Sequence, residues 1–270
     1  MTPKIIHYCW FGRNPLPKTA KKCIDSWRKF FPDYEIKQWN EDNFDVNAIP
    51  YTAEAYKARK YAFVSDYARY WILYHHGGIY FDTDVQVIRP MDEIIARGPF
   101  MGREKGAYIS AICDNNGTTP AQGGDAGLGV APGLGLGVNP GLGLYKEFLD
   151  AYDGYSFRNP DGSLNMKTIV AYTTEILLRH GLNSNNDEPQ LVAGVWIYPP
   201  DVFCPMDHTQ ANTVTITDRT VSIHLYDCSW IDHSGIGFRL HLLKNKAAKY
   251  LGIGFVNRCL KVLRLLHLKK

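Results

Sequence analysis

The chain has 270 residues, of which 45% are hydrophobic and 21% charged, so it can bury an ordinary core and falls at the upper end of single-domain sizes. Its six cysteines are scattered without a CxxC pair, which argues against a zinc ribbon or a disulfide scaffold and favours a reducing compartment. The opening residues lack the apolar stretch of a secretory signal, and no apolar run reaches the roughly 20 residues that span a bilayer. We therefore expect a cytoplasmic protein.

The positive charge is concentrated at one end of the chain. Residues 236–270 contain nine Lys and Arg residues and no acidic residue, so without them the formal net charge changes from +3 to −6. This distribution argues against nucleic-acid binding by the body of the protein, which needs basic residues over a docking face. We predict a catalytic domain over residues 1–235 and a basic amphipathic helical tail over residues 236–270. The tail is suited to peripheral contact with an anionic membrane surface, and the alternative is a helix packed on the domain with a solvated basic face.

The first elements predict a β-α-β unit. The apolar run at residues 3–10 is followed by Gly12 and two prolines, which is typical of a buried strand. Residues 18–31 carry apolar side chains at helical spacing, and residues 34–39 indicate a second strand. This order favours a mainly parallel sheet covered by helices.

The next pair of elements contains the acidic residues of interest. Residues 54–76 predict one long helix, ended by Gly77 and Gly78. Residues 79–88 predict a strand whose alternation places Tyr80, Asp82 and Asp84 on one face. Two carboxylates on one face of a strand form a concentrated negative site.

The rest of the chain gives weaker signals. Residues 123–143 are rich in glycine and predict a strand with flexible loops around it. Helices are expected at residues 144–152 and 168–180, an irregular segment at 198–203, and a strand at 214–225.

An Asp-x-Asp pair alone is poor evidence, so its context decides. Here it ends the run SDYARYWILYHHGGIYFDTDV, in which Asp66 and Arg69 are neighbours on one helical face. If that face is exposed, the pair contributes only a few tenths of a kcal/mol. Its position inside an otherwise apolar helix favours a role in the site.

Together with PKIIHYCWFG near the start and SIHLYDCSW near the end, this run resembles the DXD-containing glycosyltransferases. These are typified by capsular polysaccharide transferases and fungal outer-chain mannosyltransferases, and are more distantly similar to large glucosylating toxins. The resemblance implies an α/β fold of the GT-A type, with a Rossmann-like, mainly parallel mixed sheet flanked by helices.

The resemblance also implies an activity. It is the transfer of a hexose, with retention of configuration, from a nucleoside-diphosphate sugar to a glycan or lipid-linked glycan acceptor in capsular or other surface polysaccharide synthesis. A UDP-sugar is the favoured donor and GDP-mannose the alternative. A location at the inner face of the membrane would suit such an acceptor.

The matching positions receive roles from the same resemblance. For donor binding, the resemblance implies Cys9, Trp10, Asp66, Arg69, Tyr80, Asp82 and Trp230. For catalysis, it implies Asp66, Arg69 and Asp84. For metal binding, it implies Asp82, Asp84 and His224. Asp125 follows two glycines and is a further candidate contact to donor or acceptor, although a turn-forming aspartate fits equally well.

The chemistry agrees with these residue types. Loss of a nucleoside diphosphate leaves extra negative charge, which a divalent cation stabilises. Carboxylates suit Mg²⁺ or Mn²⁺, and the imidazole of His224 favours Mn²⁺. Arg69 supplies a fixed positive fork for oxygen acceptors, and an aromatic ring such as Trp10 suits a nucleobase face.

Other interpretations remain open from the sequence. FDTDV also fits an aspartyl-phosphate phosphohydrolase, with Asp82 as nucleophile and Asp84 as acid/base, although no Asp-Asp dipeptide follows downstream. A noncatalytic glycan-binding scaffold is a second alternative. Trp10 could be a core aromatic residue, and His224 a hydrogen-bonded support.

Overall fold

The structure is a computed structural model that describes residues 2–105, 128–207 and 213–226. Asp125, Trp230 and the predicted tail lie outside the described residues, so the expectations placed on them stay predictions. In the parts of the chain that are described, no helix combines the length and the apolar character that a membrane span requires.

The predicted β-α-β start is confirmed. Strand β1 covers Ile5–Cys9, helix α1 Lys18–Phe30 and strand β2 Glu35–Trp39, and β1 pairs with β2 in parallel. Helix α1 buries Ala20, Cys23, Ile24 and Trp27, the face that the helical spacing indicates.

The single helix predicted over residues 54–76 is wrong. The structure has helix α2 at Pro50–Lys57 and helix α3 at Tyr61–His76, separated where Arg59 adopts a left-handed conformation with φ 58°. Both helices bury apolar residues in the same core, including Ala55 and Phe63. The apolar spacing therefore continues across the break and conceals it.

The continuous strand predicted over residues 79–88 is also wrong. Strand β3 covers Gly78–Tyr80 and strand β4 covers Val85–Val87, with residues 83 and 84 in a turn that the Val85 amide closes by donating to the Asp82 carbonyl at 3.1 Å. Strand β4 leaves the main sheet and pairs with β12, at Ser222–His224, in a separate two-stranded sheet. A turn rather than strand alternation therefore places the two aspartates.

The remaining elements complete the domain. The glycine-rich segment contributes two short strands, and the strand predicted at 214–225 is interrupted by a loop. In chain order, these elements are α4 (Asp92–Arg97), β5 (Phe100–Lys105), β6 (Leu128–Val130), β7 (Leu136–Val138), α5 (Gly143–Ala151), a 3₁₀ turn (Tyr152–Gly154), α6 (Ile169–Arg179), β8 (Gln190–Val192), β9 (Val195–Tyr198), α7 (Pro200–Phe203), β10 (Met206–Asp207) and β11 (Thr213–Val214).

The main sheet is mixed, and the expectation of a mainly parallel sheet is wrong, because five of its nine described strand pairs are antiparallel. It runs β2-β1-β3-β7-β5, with β1 parallel to β2 and β3, and β7 antiparallel to both β3 and β5. Successive strand residues enter different apolar clusters: Ile79 packs with Trp27 of α1, whereas Tyr80 packs with Leu73 of α3. A mixed sheet flanked by helices fits the expected GT-A architecture.

His7 of β1 connects the sheet to the end of helix α3. It is fully buried, its Nδ1 accepts a hydrogen bond from Trp39 Nε1 at 3.0 Å, and its Nε2 lies 3.0 Å from the Gly77 carbonyl oxygen, to which it donates. This pattern requires the neutral imidazole. Burial lowers the pKa of His7 to about 4, against a weaker opposing effect of the Gly77 hydrogen bond.

Acid should therefore destabilise the protein through His7. Between pH 6.5 and pH 4 the unfolded state binds a proton that the folded state does not, so the free energy of unfolding falls as the pH falls, by roughly 3 kcal/mol over this window. Urea unfolding across this range should show a shallower pH slope for His7→Gln than for the wild type. His75→Gln, which removes an exposed histidine, is the matched control, and equal slopes for His7→Gln and wild type would contradict the assignment.

Candidate active site

A cleft of about 370 Å³ opens at the carboxyl ends of β1 and β3, the edge of an α/β sheet at which ligands bind. Four parts of the chain line it: the residues that end β1, the first half of α3, the turn after β3, and the end of β12. Of the predicted site residues, it brings together Cys9, Trp10, Arg69, Asp82, Asp84 and His224.

Asp82 is held from three directions. Its Oδ1 accepts a hydrogen bond from the Tyr80 hydroxyl at 3.0 Å, its Oδ2 accepts one from Arg69 Nη1 at 3.3 Å, and its backbone amide donates to the Gly133 carbonyl at 3.0 Å. Tyr80 is buried beneath the cleft. The carboxylate therefore has a fixed orientation at the cleft floor.

Arg69 is the charged centre of this arrangement. Its side chain is 4% exposed, and its Nη2 donates to Asp66 Oδ1 at 2.9 Å, where the Asp66 side chain is 11% exposed. Its Nε donates to the Ser65 carbonyl at 3.2 Å, and its guanidinium carbon lies 4.9 Å from the centre of the Tyr80 ring. The interpretation of Asp66 and Arg69 as an exposed surface pair is therefore wrong.

Asp66 lies behind Arg69 and does not line the cleft. Burial raises the pKa of Asp66 to about 7, against the opposing positive charge of Arg69. Its contact to Arg69 means that Asp66 acts on the cleft by orienting the guanidinium.

Asp84 pairs with His224. Asp84 Oδ1 lies 3.1 Å from His224 Nε2, while His224 Nδ1 is buried without a hydrogen-bond partner and lies 3.8 Å from Glu104 Oε2. Burial lowers the pKa of His224, but the charge and hydrogen bond of Asp84, together with Cys204 and Glu104, outweigh burial and raise the pKa well above the ordinary value.

The Asp84 and His224 atoms fit a shared divalent cation. Ligands at adjacent corners of an octahedron with bonds of about 2.1 Å are about 3 Å apart, close to the 3.1 Å between Asp84 Oδ1 and His224 Nε2. Both Asp82 oxygens already accept protein hydrogen bonds, so that carboxylate offers its remaining lone pairs.

Cys9, the last residue of β1, and Trp10 also line the cleft. Burial raises the pKa of the Cys9 thiol to about 12, so the group is neutral and a poor nucleophile. The Trp10 ring is partly exposed, and its Nε1 donates to the Asn14 carbonyl at 2.7 Å. That hydrogen bond fixes the indole beside the cleft, with one end tied to the loop after β1.

Sequence reasoning missed four residues of the site region. A Cβ built on Gly133 would lie 2.0 Å from Asp82 Oδ2, so glycine is required there, and the glycine-rich composition was its only signal. Glu104 of β5, Cys204 and Tyr226 approach His224 from behind. They lie in weakly patterned segments and gave no signal, apart from the position of Tyr226 within SIHLYDCSW.

A mixed α/β sheet with paired aspartates in a turn at its carboxyl edge is typical of nucleotide-sugar-dependent transferases. Residues 17–101 match the family model described as the glycosyltransferase sugar-binding region containing DXD motif. This region is thus similar to the DXD-containing glycosyltransferases, which confirms the resemblance seen in the sequence.

Similar proteins include several fungal mannosyltransferases. Inositol phosphoceramide mannosyltransferase 3 of Schizosaccharomyces pombe is 34% identical over 116 residues, 40% of this chain and 31% of that protein. Initiation-specific alpha-1,6-mannosyltransferase of Candida albicans is 28% identical over 113 residues, 38% of this chain and 29% of that protein. The matched part thus makes up about a third of the length of these relatives.

Among solved structures, the PaToxG glycosyltransferase aligns with a TM-score of 0.44 and 20% identity, covering 66% of this chain and 69% of that one.

Removal of Arg69 should be costly, because it leaves the buried Asp66 carboxylate without its cationic partner. We expect Arg69→Gln to lower the free energy of unfolding by about 3–5 kcal/mol, as measured by urea denaturation. The matched control is Arg28→Gln in the pair Arg28 and Asp25, which has the same i,i+3 spacing but is 63% and 70% exposed, and such exposed helix pairs contribute no more than about 0.5 kcal/mol. Similar costs for the two variants would contradict the role given to the buried pair.

Proposed function

We propose that this protein is a metal-dependent, retaining glycosyltransferase that moves a hexose from a nucleoside-diphosphate sugar to a glycan acceptor. The single observation that carries the proposal is the fixed Asp82 carboxylate beside Asp84 in a cleft at the carboxyl edge of the sheet. The match of residues 17–101 to the DXD-containing family model supports it.

Each of the residues that we propose for the site has a different role. Asp84, His224 Nε2 and the remaining lone pairs of Asp82 would hold a Mn²⁺ or Mg²⁺ ion, and Arg69 donates to Asp82. A bound cation would neutralise the negative charge that develops on the diphosphate. Arg69, kept in place by Asp66, presents positive charge to donor oxygens, and Trp10 offers an aromatic face to the nucleobase.

Retention follows from a departing phosphate that itself takes the proton of the acceptor hydroxyl. Cys9 is the thiol nearest to that reaction, and its raised pKa, caused by burial, disfavours it as a covalent nucleophile. Asp82 has both oxygens engaged by Arg69 and Tyr80, which supports a binding role for it over a nucleophilic one.

The donor sugar to test is suggested by the relatives, and the acceptor by the resemblance seen in the sequence. Their names identify mannose as the transferred sugar of those proteins, which supports GDP-mannose as a donor to test beside the UDP-hexoses favoured by the wider resemblance. A glycan of capsular or other surface polysaccharide is the acceptor class that we propose.

Cleavage of the nucleotide sugar should require both the metal ion and the two acidic residues. With a panel of UDP-hexoses and GDP-mannose, we expect Mn²⁺-stimulated release of nucleoside diphosphate that a chelator abolishes. Asp82→Asn or Asp84→Asn should lower the rate by about 10²-fold or more, the scale on which loss of an electrostatic contact to the transition state acts. Asp42→Asn, which alters an exposed pair with Arg13, is the control.

The same panel tests the rival chemistry. Release of inorganic phosphate from small phosphomonoesters, with no cleavage of nucleotide sugars, would identify a phosphohydrolase and overturn the proposal. Binding of glycans without either reaction would identify a noncatalytic scaffold.

Gly133 provides a test of Asp82 orientation without changing its charge. Gly133→Ala places a methyl group against Asp82 Oδ2 and should displace the carboxylate, lowering metal-dependent donor cleavage by about 10²-fold, the effect of a 1 Å misplacement. Gly143→Ala lies in the same glycine-rich segment, but its added Cβ meets nothing within 4 Å. Retained activity in Gly133→Ala, or equal loss in both variants, would count against this geometry.

A further inference from the structure

A second group of metal-ligating side chains lies behind the cleft. Glu104, Cys204 and His224 each offer one ligand atom, and these atoms all lie within 4.8 Å of one another. Glu104 and Cys204 are buried, and the His224 side chain is 15% exposed. The group is distinct from the pair that faces the cleft, because it uses the other nitrogen of His224.

His224 is already oriented as a ligand of this group would be. Its Nε2 lies 3.1 Å from Asp84 Oδ1, so Nε2–H can donate to that carboxylate, and Nδ1 becomes available as an inward-directed ligand once an ion displaces its proton. Metal-bound histidines usually donate their second ring N–H to a carboxylate, which fixes the tautomer. Buried Nδ1 has no hydrogen-bond partner, as expected of a nitrogen kept for a ligand.

The spacing and softness of the donors favour zinc. The 3.8 Å between His224 Nδ1 and Glu104 Oε2 is too long for a hydrogen bond, but about 0.4 Å more than the separation of two ligands around a tetrahedral ion with bonds of about 2.1 Å. One thiolate, one imidazole and one carboxylate are ligands typical of Zn²⁺, whereas Mg²⁺ and Mn²⁺ prefer oxygen.

Tyr226 lies between this group and the cleft. Its hydroxyl lies 2.7 Å from Glu104 Oε2 and 3.0 Å from Cys204 Sγ, and its backbone adopts a left-handed conformation with φ 51°. Such strain in a residue other than glycine concentrates at functional sites. Because Tyr226 also lines the cleft, movement of its side chain gives an ion a path from solvent.

We propose that Cys204, Glu104 and His224 Nδ1 form a zinc site behind the cleft, with Asp84 as the carboxylate that orients the histidine. On binding, the Cys204 thiol and the Nδ1–H of the His224 imidazolium each lose a proton to solvent, and the thiolate sulfur and Nδ1 coordinate the ion. An ion here requires Nε2 of His224 to carry the proton. That nitrogen is then withdrawn from the cation of the proposed transferase reaction, so zinc would compete with the function of the cleft.

Cobalt spectroscopy of the full chain tests the site directly. Protein freed of metal is titrated with Co²⁺, and we expect the near-ultraviolet absorption of a cobalt–thiolate bond, which Zn²⁺ then abolishes by displacement. Cys204→Ser should lose the band, and Glu104→Gln should weaken Co²⁺ binding by about tenfold or more. Cys23→Ser, which alters another fully buried cysteine, should keep it.

Two results of the cobalt titration would overturn the proposal. A wild-type protein without the band has only a hydrogen-bonded network at this place, and a band that survives in Cys204→Ser comes from another cysteine. Thermal unfolding gives a second readout: Zn²⁺ should raise the Tm of the wild type and of Cys23→Ser but not of Cys204→Ser. Asp82→Asn, which does not touch the group, should keep the band while losing transfer, so the two proposals fail separately.

Discussion

The cleft depends on one buried guanidinium. Arg69 donates from helix α3 to Asp66 on its own helix and to Asp82 on the turn after β3. A charge removed from water must find partners with good geometry, so the helix and the turn cannot move independently. The orientation of the acidic residues is therefore set by the same packing that forms the core.

The two aspartates of the turn serve different partners. Asp82 is bound by Arg69 and Tyr80, whereas Asp84 faces His224. One carboxylate is thus neutralised by a permanent cation and the other by a group whose charge can change. One site can therefore contain a positive charge that is always present, beside Asp82, and a second that depends on protonation, beside Asp84.

The sequence predicted the elements better than their ends. The β-α-β start and the presence of acidic residues at the sheet edge followed from local patterns, and the family motif gave six residues that line one cleft. The breaks at Arg59 and after Tyr80 could not be predicted, because apolar spacing continues through both. In each case tertiary packing, by the shared core or by β12, decided where the element ends.

The residues behind the cleft could not be predicted from the sequence for a related reason. Glu104 and Cys204 come from segments about 100 residues apart and meet at His224 only in the folded protein. Neither forms a short motif with its partner. Gly133 could not be predicted for a different reason, because a glycine-rich composition does not show which glycine lies against a side chain such as Asp82.

The turn that joins α3 to β3 restricts how this protein can diverge. Gly77 and Gly78 both have positive φ, and an added Cβ would lie 2.6 Å from Pro140 Cδ at the first and 2.7 Å from the Ile5 carbonyl at the second. Space and backbone conformation thus both demand glycine at adjacent positions. Lineages that keep this backbone should retain the dipeptide even where catalysis is lost, so its persistence in a homologue would report inheritance of the scaffold and say nothing about the sugar that is handled.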